Sequence, residues 1–349
     1  MKKITVAVLF GGASSEYSVS LSSATSVINN INRDKYDVVL IGITKDGVWY
    51  RYNGPVSEIK PDNWCKPEYC TRALISPSRD DSGLIELTDP VKLTKIDVAF
   101  PVFHGKNGED GTIQGLFELA GIKYVGCGVL ASSVGMDKDF AHKIVMEAGL
   151  DVAKFVTFNE GEELDSMVTR AAALGFPLYV KPVNAGSSIG ITKAHNTEEL
   201  KNGIIEAFKH DRKVTVEENI DGFEVGCAVM GNNASDRFIG EVDEIEVEGG
   251  FFDFGEKYSL FKSKIHMPAR ISPEMAARVK ETALKLYEIL DCQGLARVDM
   301  FIYGDRIVFN EINSIPGFTD KSRYPNMMRG AGIEYPELID RLIGYALSR

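Results

Sequence analysis

The sequence predicts an α/β protein of more than one domain, a doubly wound half followed by mixed α+β structure. Three observations carry this. Apolar β-branched runs alternate with helix-spaced segments through the first third, as in a parallel sheet wrapped by helices. From Asp137 the texture changes to shorter helices and Val-rich strands. The 349 residues also exceed what one ordinary core organises.

The elements follow in order. Ile4–Phe10 reads as a buried parallel strand, turned by Gly11-Gly12. Ser20–Ile31 has apolar Leu21, Ala24, Val27 and Ile28 at helical spacing. Val38–Ile43 and Asp97–Val102 are further strands, and the helix Leu116–Ala120 stops at Gly121 before the strand Tyr124-Val125. Next come a helix over Asp139–Ala148 leading to Lys154–Thr157, another helix, and then two Val-rich strands at Leu178–Lys181 and Lys213–Asn219. The remainder predicts strands Glu224–Val229, Phe238–Ile245 and Arg306–Asn310, with helices Pro273–Leu290 and Tyr335–Ala346.

Composition excludes several classes. A net charge of −11 without a basic run argues against nucleic acid or an anionic membrane surface as partner. No stretch approaches the roughly 18 apolar residues of a membrane span. The opening apolar run meets Gly11-Gly12 without a cleavage signature, so a secretion signal is not expected. The five cysteines, Cys65, Cys70, Cys127, Cys227 and Cys292, suit neither a zinc knuckle nor a disulfide framework, and a reducing cytoplasm is the expected location.

Four segments carry chemistry. Lys181-Pro-Val-Asn-Ala-Gly-Ser-Ser-Ile-Gly190 puts a lysine before a small-residue loop whose N–H groups suit phosphate oxygens, although alone it reads equally as a turn. Glu217-Glu218-Asn219-Ile220 offers backbone groups to a base edge, with Glu224 placed for ribose hydroxyls; alone, it reads as an acidic edge strand. Asp299, Glu311 and Asn313 are hard oxygen ligands of the kind Mg²⁺ takes beside phosphates. Glu311 and Asn313, two apart, face one side of an extended strand, and Asp299 on an antiparallel neighbour completes the set. The loop from Asn313 to Arg323 follows directly, where the N–H of Gly317 would polarise an acyl oxygen.

Together these segments resemble the ATP-grasp superfamily and, within it, the D-alanine–D-alanine ligase family. The resemblance covers essentially the whole chain. It rests also on Leu9-Phe-Gly-Gly-Ala-Ser-Ser-Glu16, His104-Gly-Lys-Asn-Gly-Glu-Asp-Gly-Thr112, Met136-Asp-Lys138, Phe251–Tyr258 and Asn310–Gly317. It implies a three-domain ATP-grasp ligase with an N-terminal Rossmann-like (pre-ATP-grasp) domain at 1–137 holding the first D-alanine. A central subdomain would span 138–219, and a C-terminal subdomain with the metal and substrate sites 220–349.

By resemblance, Lys138, Lys181, Ser188 and Lys257 contact ATP, while Glu217, Glu218, Ile220 and Glu224 hold adenosine. Asp299, Glu311 and Asn313 hold two Mg²⁺, with Mn²⁺ an alternative. Arg297 stabilises the transferring phosphoryl group and the tetrahedral intermediate. Glu16, with Ser187 and Tyr258, anchors the first D-alanine beside His104, and Ser322 and its neighbour Arg323 bind the second amino acid. The Tyr258 segment would close as a lid hinged near Gly249-Gly250 and Gly255. The expected reaction converts a carboxylate to an acyl phosphate, which the second amine attacks. The family also implies a homodimer.

Departures refine the expectation. Arg323 replaces a usual apolar residue, as in the D-alanine–D-serine ligases of vancomycin resistance, and Phe252 and Phe254 replace the usual lid tyrosines. Guanidinium donors suit a hydroxyl better than a methyl group. D-serine is therefore the expected second substrate, with D-alanine the alternative, unless Arg323 only pairs with an acidic neighbour. A non-catalytic nucleotide-binding regulator is the rival class, and the intact acid–arginine set argues against it.

Overall fold

The computed structural model describes residues 3–186, 189–247 and 263–349. Its first sheet is built from β1 (Ile4–Gly11), β2 (Tyr36–Ile43), β3 (Trp49–Tyr52), β4 (Cys70–Ile75), β5 (Gly83–Glu86), β6 (Lys92–Lys95), β7 (Val98–Pro101) and β8 (Lys123–Tyr124). The order is β6-β5-β4-β3-β2-β1-β7-β8. The segment β2-β1-β7-β8 is parallel, as the apolar runs predict. Because strand side chains alternate, Ala7 and Leu9 enter one core while Val6, Val8 and Phe10 enter another. Burial on both faces explains the uninterrupted apolar sequence.

The antiparallel half, β3 to β6, is absent from the sequence reading. Its strands are short and half exposed: Leu74 and Leu93 remain 39% and 42% accessible. Without a continuous apolar run or clean alternation, such strands carry little local signal.

Helix α1 (Tyr17–Asn30) begins three residues earlier than its apolar spacing indicates and buries Leu21, Ala24, Val27 and Ile28. Next come α2 (Thr112–Ala120), α3 (Val129–Met136) and α4 (Lys138–Glu147). The Asp137 carboxylate accepts the Phe140 N–H at 3.0 Å, capping α4 so that Lys138 starts it.

The second sheet, order β11-β10-β12-β9, is antiparallel. It comprises β9 (Phe155–Asn159), β10 (Leu178–Pro182), β11 (Thr192–Ala194) and β12 (Lys213–Glu218), with α5 (Leu164–Ala172) and α6 (Thr197–Ala207) packed on one face. The third, order β15-β14-β13-β16-β17, is also antiparallel. It contains β13 (Phe223–Gly231), β14 (Phe238–Val247), β15 (Ser263–His266), β16 (Gly294–Tyr303) and β17 (Arg306–Asn313). Helix α7 (Pro273–Ile289), capped by Ser272, covers one face. Helix α8 (Arg323–Gly330) lies against β14. Helix α9 (Tyr335–Leu347) crosses back, and its Leu338, Leu342 and Ile343 join Val6 and Val8 in one core. Among the described residues, no helix is long and apolar enough to cross a membrane.

Candidate active site

A cleft of about 560 Å³ separates the second and third sheets and gathers Lys138, Lys181, Glu217, Glu218, Ile220 and Glu224, with Glu311 at one end. Strand register explains the grouping. Tyr179 on β10 faces Glu217 on β12, so Lys181, two residues on, lies on the same side. Its Nζ reaches Glu217 Oε2 at 2.6 Å. Burial alone would lower the Lys181 pKa, but the Glu217 charge outweighs it and holds the ammonium above its ordinary range. Burial raises the Glu217 carboxyl, yet Lys181 and His142 bring it below its ordinary value. Lys138 donates to the Ala185 carbonyl at 3.1 Å and lies 3.8 Å from Glu311 Oε2.

Beyond the lysines, β16 and β17 bring the oxygen ligands together. Asp299 lies opposite Glu311, and a bulge before Met300 displaces Asn310. Asn313 donates to Asp299 Oδ2 at 2.9 Å. Arg297, on the same face of β16 as Asp299, forks onto its carboxylate at 2.6 to 3.0 Å. Arg323, at the start of α8, forks onto Asp243 at 2.7 and 2.8 Å, and its Nη1 lies 3.1 Å from Glu224 and 3.3 Å from Asp299. Burial lowers both arginine pKa values, and the carboxylates, Asp299 for Arg297 and Asp243 first for Arg323, reverse the shift. The approach depends on Gly226, where a Cβ would stand 2.3 Å from Arg323 Nη2 and 2.8 Å from Asp243 Oδ1.

The third part joins the first sheet to the loop after β17. Glu16, at the foot of α1, is 6% exposed. A Cβ at Gly105 or Gly186 would lie 2.5 or 2.6 Å from its Oε2, so only glycine lets both loops approach. His104 donates from Nδ1 to the Ile315 carbonyl at 3.0 Å, and its Nε2 accepts from Ser23 Oγ at 3.1 Å. That tautomer is neutral, in keeping with burial, which lowers its pKa despite the Glu16 charge. Glu109 accepts N–H groups from Gly105 and Ile315 at 2.8 and 3.1 Å. Burial and the Glu16 charge push it up to about 8. Gly317 packs toward Ser322, whose Oγ accepts the Thr319 N–H at 3.0 Å.

Of the residues read from the sequence, Ser187, Ser188, Phe252, Lys257 and Tyr258 lie outside the described residues. The others form two neighbouring groups: the cleft with its acid–arginine end, and Glu16 with His104, beside the loop bearing Gly317 and Ser322. Three residues escaped the sequence reading. Glu109 sits inside a quoted motif without a role. Asp243 lies on a strand where polar residues alternate, a pattern that also describes any half-exposed strand. His142 is buried on α4, donating from Nε2 to the Asn310 carbonyl at 3.0 Å, with Nδ1 4.0 Å from Glu217 Oε1. No local pattern distinguishes such a histidine from a surface one.

A hard divalent cation fits the donor set, because Asp299, Glu311 and Asn313 offer oxygen alone. Among the described residues, no three His, Cys, Asp or Glu side chains converge as a metal cluster. Phosphate oxygens and water would therefore complete the coordination, which is the usual Mg²⁺ arrangement.

Two sheets grip a lysine-lined cleft with carboxylates at one end, an arrangement that suits an ATP-dependent ligase forming a C–N bond, and this chain is such an enzyme. The D-ala D-ala ligase N-terminus profile matches residues 5–127, and the D-ala D-ala ligase C-terminus profile residues 144–344. A D-alanine--D-alanine ligase of Acetivibrio thermocellus is 47% identical, over 99% of this chain and 96% of its own. The vancomycin/teicoplanin A-type resistance protein VanA of Enterococcus faecium is 44% identical, over 99% of each. The crystal structure of VanG D-Ala:D-Ser ligase from Enterococcus faecalis superposes with a TM-score of 0.92 at 50% identity, covering 99% of this chain and 100% of that one. The chain belongs to the D-alanine–D-alanine ligase family.

Proposed function

We propose that this enzyme joins D-alanine to D-serine through a D-alanyl phosphate, supplying a peptidoglycan precursor of the vancomycin-resistance type. The observation that carries the D-serine reading is Arg323, buried beside Ser322 and held by Asp243, Glu224 and Asp299. A charged, hydrogen-bonded wall suits a hydroxyl, whereas a methyl group gains nothing from it. The same pairing, together with the A. thermocellus relative's name, favours D-alanine as the second reading, because the fork already has acceptors.

In this reading Glu16 anchors the ammonium of the first D-alanine beside neutral His104. Lys138 and Lys181 hold ATP phosphates, with Ser188 and Lys257. Glu217, Glu218, Ile220 and Glu224 hold the adenosine, and the Tyr258 segment, with Ser187, excludes water. Asp299, Glu311 and Asn313 would hold two Mg²⁺, or Mn²⁺, which supply charge neutralisation at the γ-phosphoryl group. Arg297 stabilises the transferring phosphoryl and the later tetrahedral oxygen, aided by the Gly317 N–H. Ser322 takes the carboxylate of the second amino acid.

The proposed domains are 1–137, 138–219 and 220–349, one for each sheet. A cytoplasmic homodimer completes the reading, supported by Leu119 and Leu130, 64% and 61% exposed on α2 and α3. The test is a competition assay at equal D-alanine and D-serine with ATP and Mg²⁺, counting dipeptides by mass. Mainly D-alanyl-D-serine is expected; mainly D-alanyl-D-alanine selects the second reading, and no dipeptide overturns both.

A further inference from the structure

Cys65 and Cys70 lie outside the machinery above, yet the fold brings them together. Residues 66–69 form a β-turn closed by the Tyr69 N–H on the Lys66 carbonyl at 2.9 Å, so the two cysteines flank the turn. Residues that flank a β-turn can approach within the reach of a disulfide. The Cys65 side chain lies close enough to Cys70 to raise its pKa. Cys70 also donates to the Trp64 carbonyl at 3.5 Å. Cys65 is exposed, and Cys70 is partly covered behind it.

The turn is attached to the substrate end. Trp64 is fully buried, and its indole N–H donates to the Tyr17 hydroxyl at 2.9 Å. Tyr17 donates in turn to Asp62 at 2.7 Å. Tyr17 follows Glu16 directly and opens α1. The peptide that carries the cysteines therefore also sets the hydrogen bonds beneath the first-substrate carboxylate.

We propose that Cys65 and Cys70 form a reversible oxidation site, a dithiol that closes to a disulfide and shifts the seat of Glu16. The oxidant class is a hydroperoxide. The exposed Cys65 thiolate attacks the distal peroxide oxygen, the O–O bond breaks, and the protein gains a sulfenic acid while water or an alcohol leaves. The Cys70 sulfur then attacks the Cys65 sulfur, its proton leaves with the hydroxyl as water, and an S–S bond forms. Two electrons pass from the thiols to the peroxide. Burial and the adjacent Cys65 push the Cys70 thiol up to about 12, so it keeps its proton until that second step. Closure removes the Cys70 donor from the Trp64 carbonyl and tightens the turn, which is how the change reaches Tyr17. Transient disulfides of this sort are the form expected in a reducing compartment.

The buried cysteines Cys127 and Cys292, each close enough to shift the other's pKa, supply an internal contrast, because no oxidant reaches them in the native fold. The experiment treats the full-length enzyme with hydrogen peroxide and maps its peptides by mass spectrometry, a readout independent of the ligase reading. The expected result is loss of two hydrogens from the peptide spanning Cys65 and Cys70, reversed by dithiothreitol, with Cys127 and Cys292 still reduced. The activity arm rests on the proposed role of Glu16. There, oxidation raises the D-alanine KM about fivefold or more, at the low end of coupling between separated sites, and Cys65→Ser abolishes the change. Cys65 over-oxidised without a bridge, a bridge formed first at Cys127, an unchanged KM after bridging, or the same KM change in Cys65→Ser each overturns the proposal.

Discussion

The cleft between the second and third sheets and the Glu16 pocket handle buried charge in opposite ways. In the cleft, acid meets base at contact distance: Lys181 with Glu217, Arg297 with Asp299, Arg323 with Asp243. Lys181, Arg297 and Arg323 are held above their ordinary range and Glu217 below its own, which suits the proposed polyphosphate site. Around Glu16, carboxyl groups and a histidine crowd together with less compensation. Glu109 is pushed up to about 8 and His104 is held neutral. Burial is similar in the two regions, so the supply of opposite charge decides which groups keep their ordinary state.

The largest test of this contrast is Arg323→Leu. It leaves Asp243, 1% exposed, without its ion-pair partner, whereas Asp299 keeps Arg297. A loss of about 3–5 kcal/mol is expected on chemical denaturation, with the double variant Arg323→Leu/Asp243→Leu recovering part of it. An unchanged midpoint would show that solvent already screens the cluster. In product assays the surviving Arg323→Leu enzyme should shift toward D-alanyl-D-alanine.

Glu311→Gln comes next. Loss of one hard ligand should lower turnover at least about a hundredfold, because metal-supplied charge stabilisation is worth several kcal/mol. The fold should hold, since Glu311 is partly exposed. Near-normal turnover at saturating Mg²⁺ would remove it from the metal set.

Glu109→Gln tests the other side of the comparison. The native carboxyl keeps its proton up to about pH 8, whereas the unfolded one releases it near 4.5. The native state thus binds more protons in that window, and stability is full below pH 4.5 and falls as pH rises to 8. The amide should flatten this slope while costing about 1–3 kcal/mol at pH 5, since one backbone N–H loses its acceptor. Denaturation midpoints across pH measure both effects, and an unchanged slope would exclude Glu109 as its source.

The smallest expected effect belongs to His142. Replacing it with Phe removes the hydrogen bond to the Asn310 carbonyl, worth about 0.5–1.5 kcal/mol, and the ATP KM should rise about two- to tenfold with kcat changed less. His142→Gln, which restores a donor, should recover most of that. Damage by His142→Gln but not by His142→Phe would point to ring packing between Phe155 and Phe309 instead.

Legibility in the sequence followed the range of the interaction. The parallel strands β1 and β2 were readable because full burial demands an unbroken apolar run. Asp299, Glu311 and Asn313 were readable because a two-residue spacing and one antiparallel neighbour suffice to bring them together. The half-exposed β3 to β6 were not, and neither was the β9 to β12 register that places Lys181 on Glu217. Glu109 and His142 differ from any other Glu or His only in what surrounds them.

Local sequence by itself determined the main strands and helices, the family motifs and the chemistry of the candidate ligands, since side-chain period and residue type act over a few positions. Tertiary structure alone decided that Arg323 would be held by Asp243 across 80 residues, that Glu109 would keep its proton, and that Cys70 would reach the Trp64 carbonyl. Each of those outcomes depends on desolvation and on the distance to a charge or carbonyl supplied elsewhere in the fold. Neither quantity exists until the chain has packed.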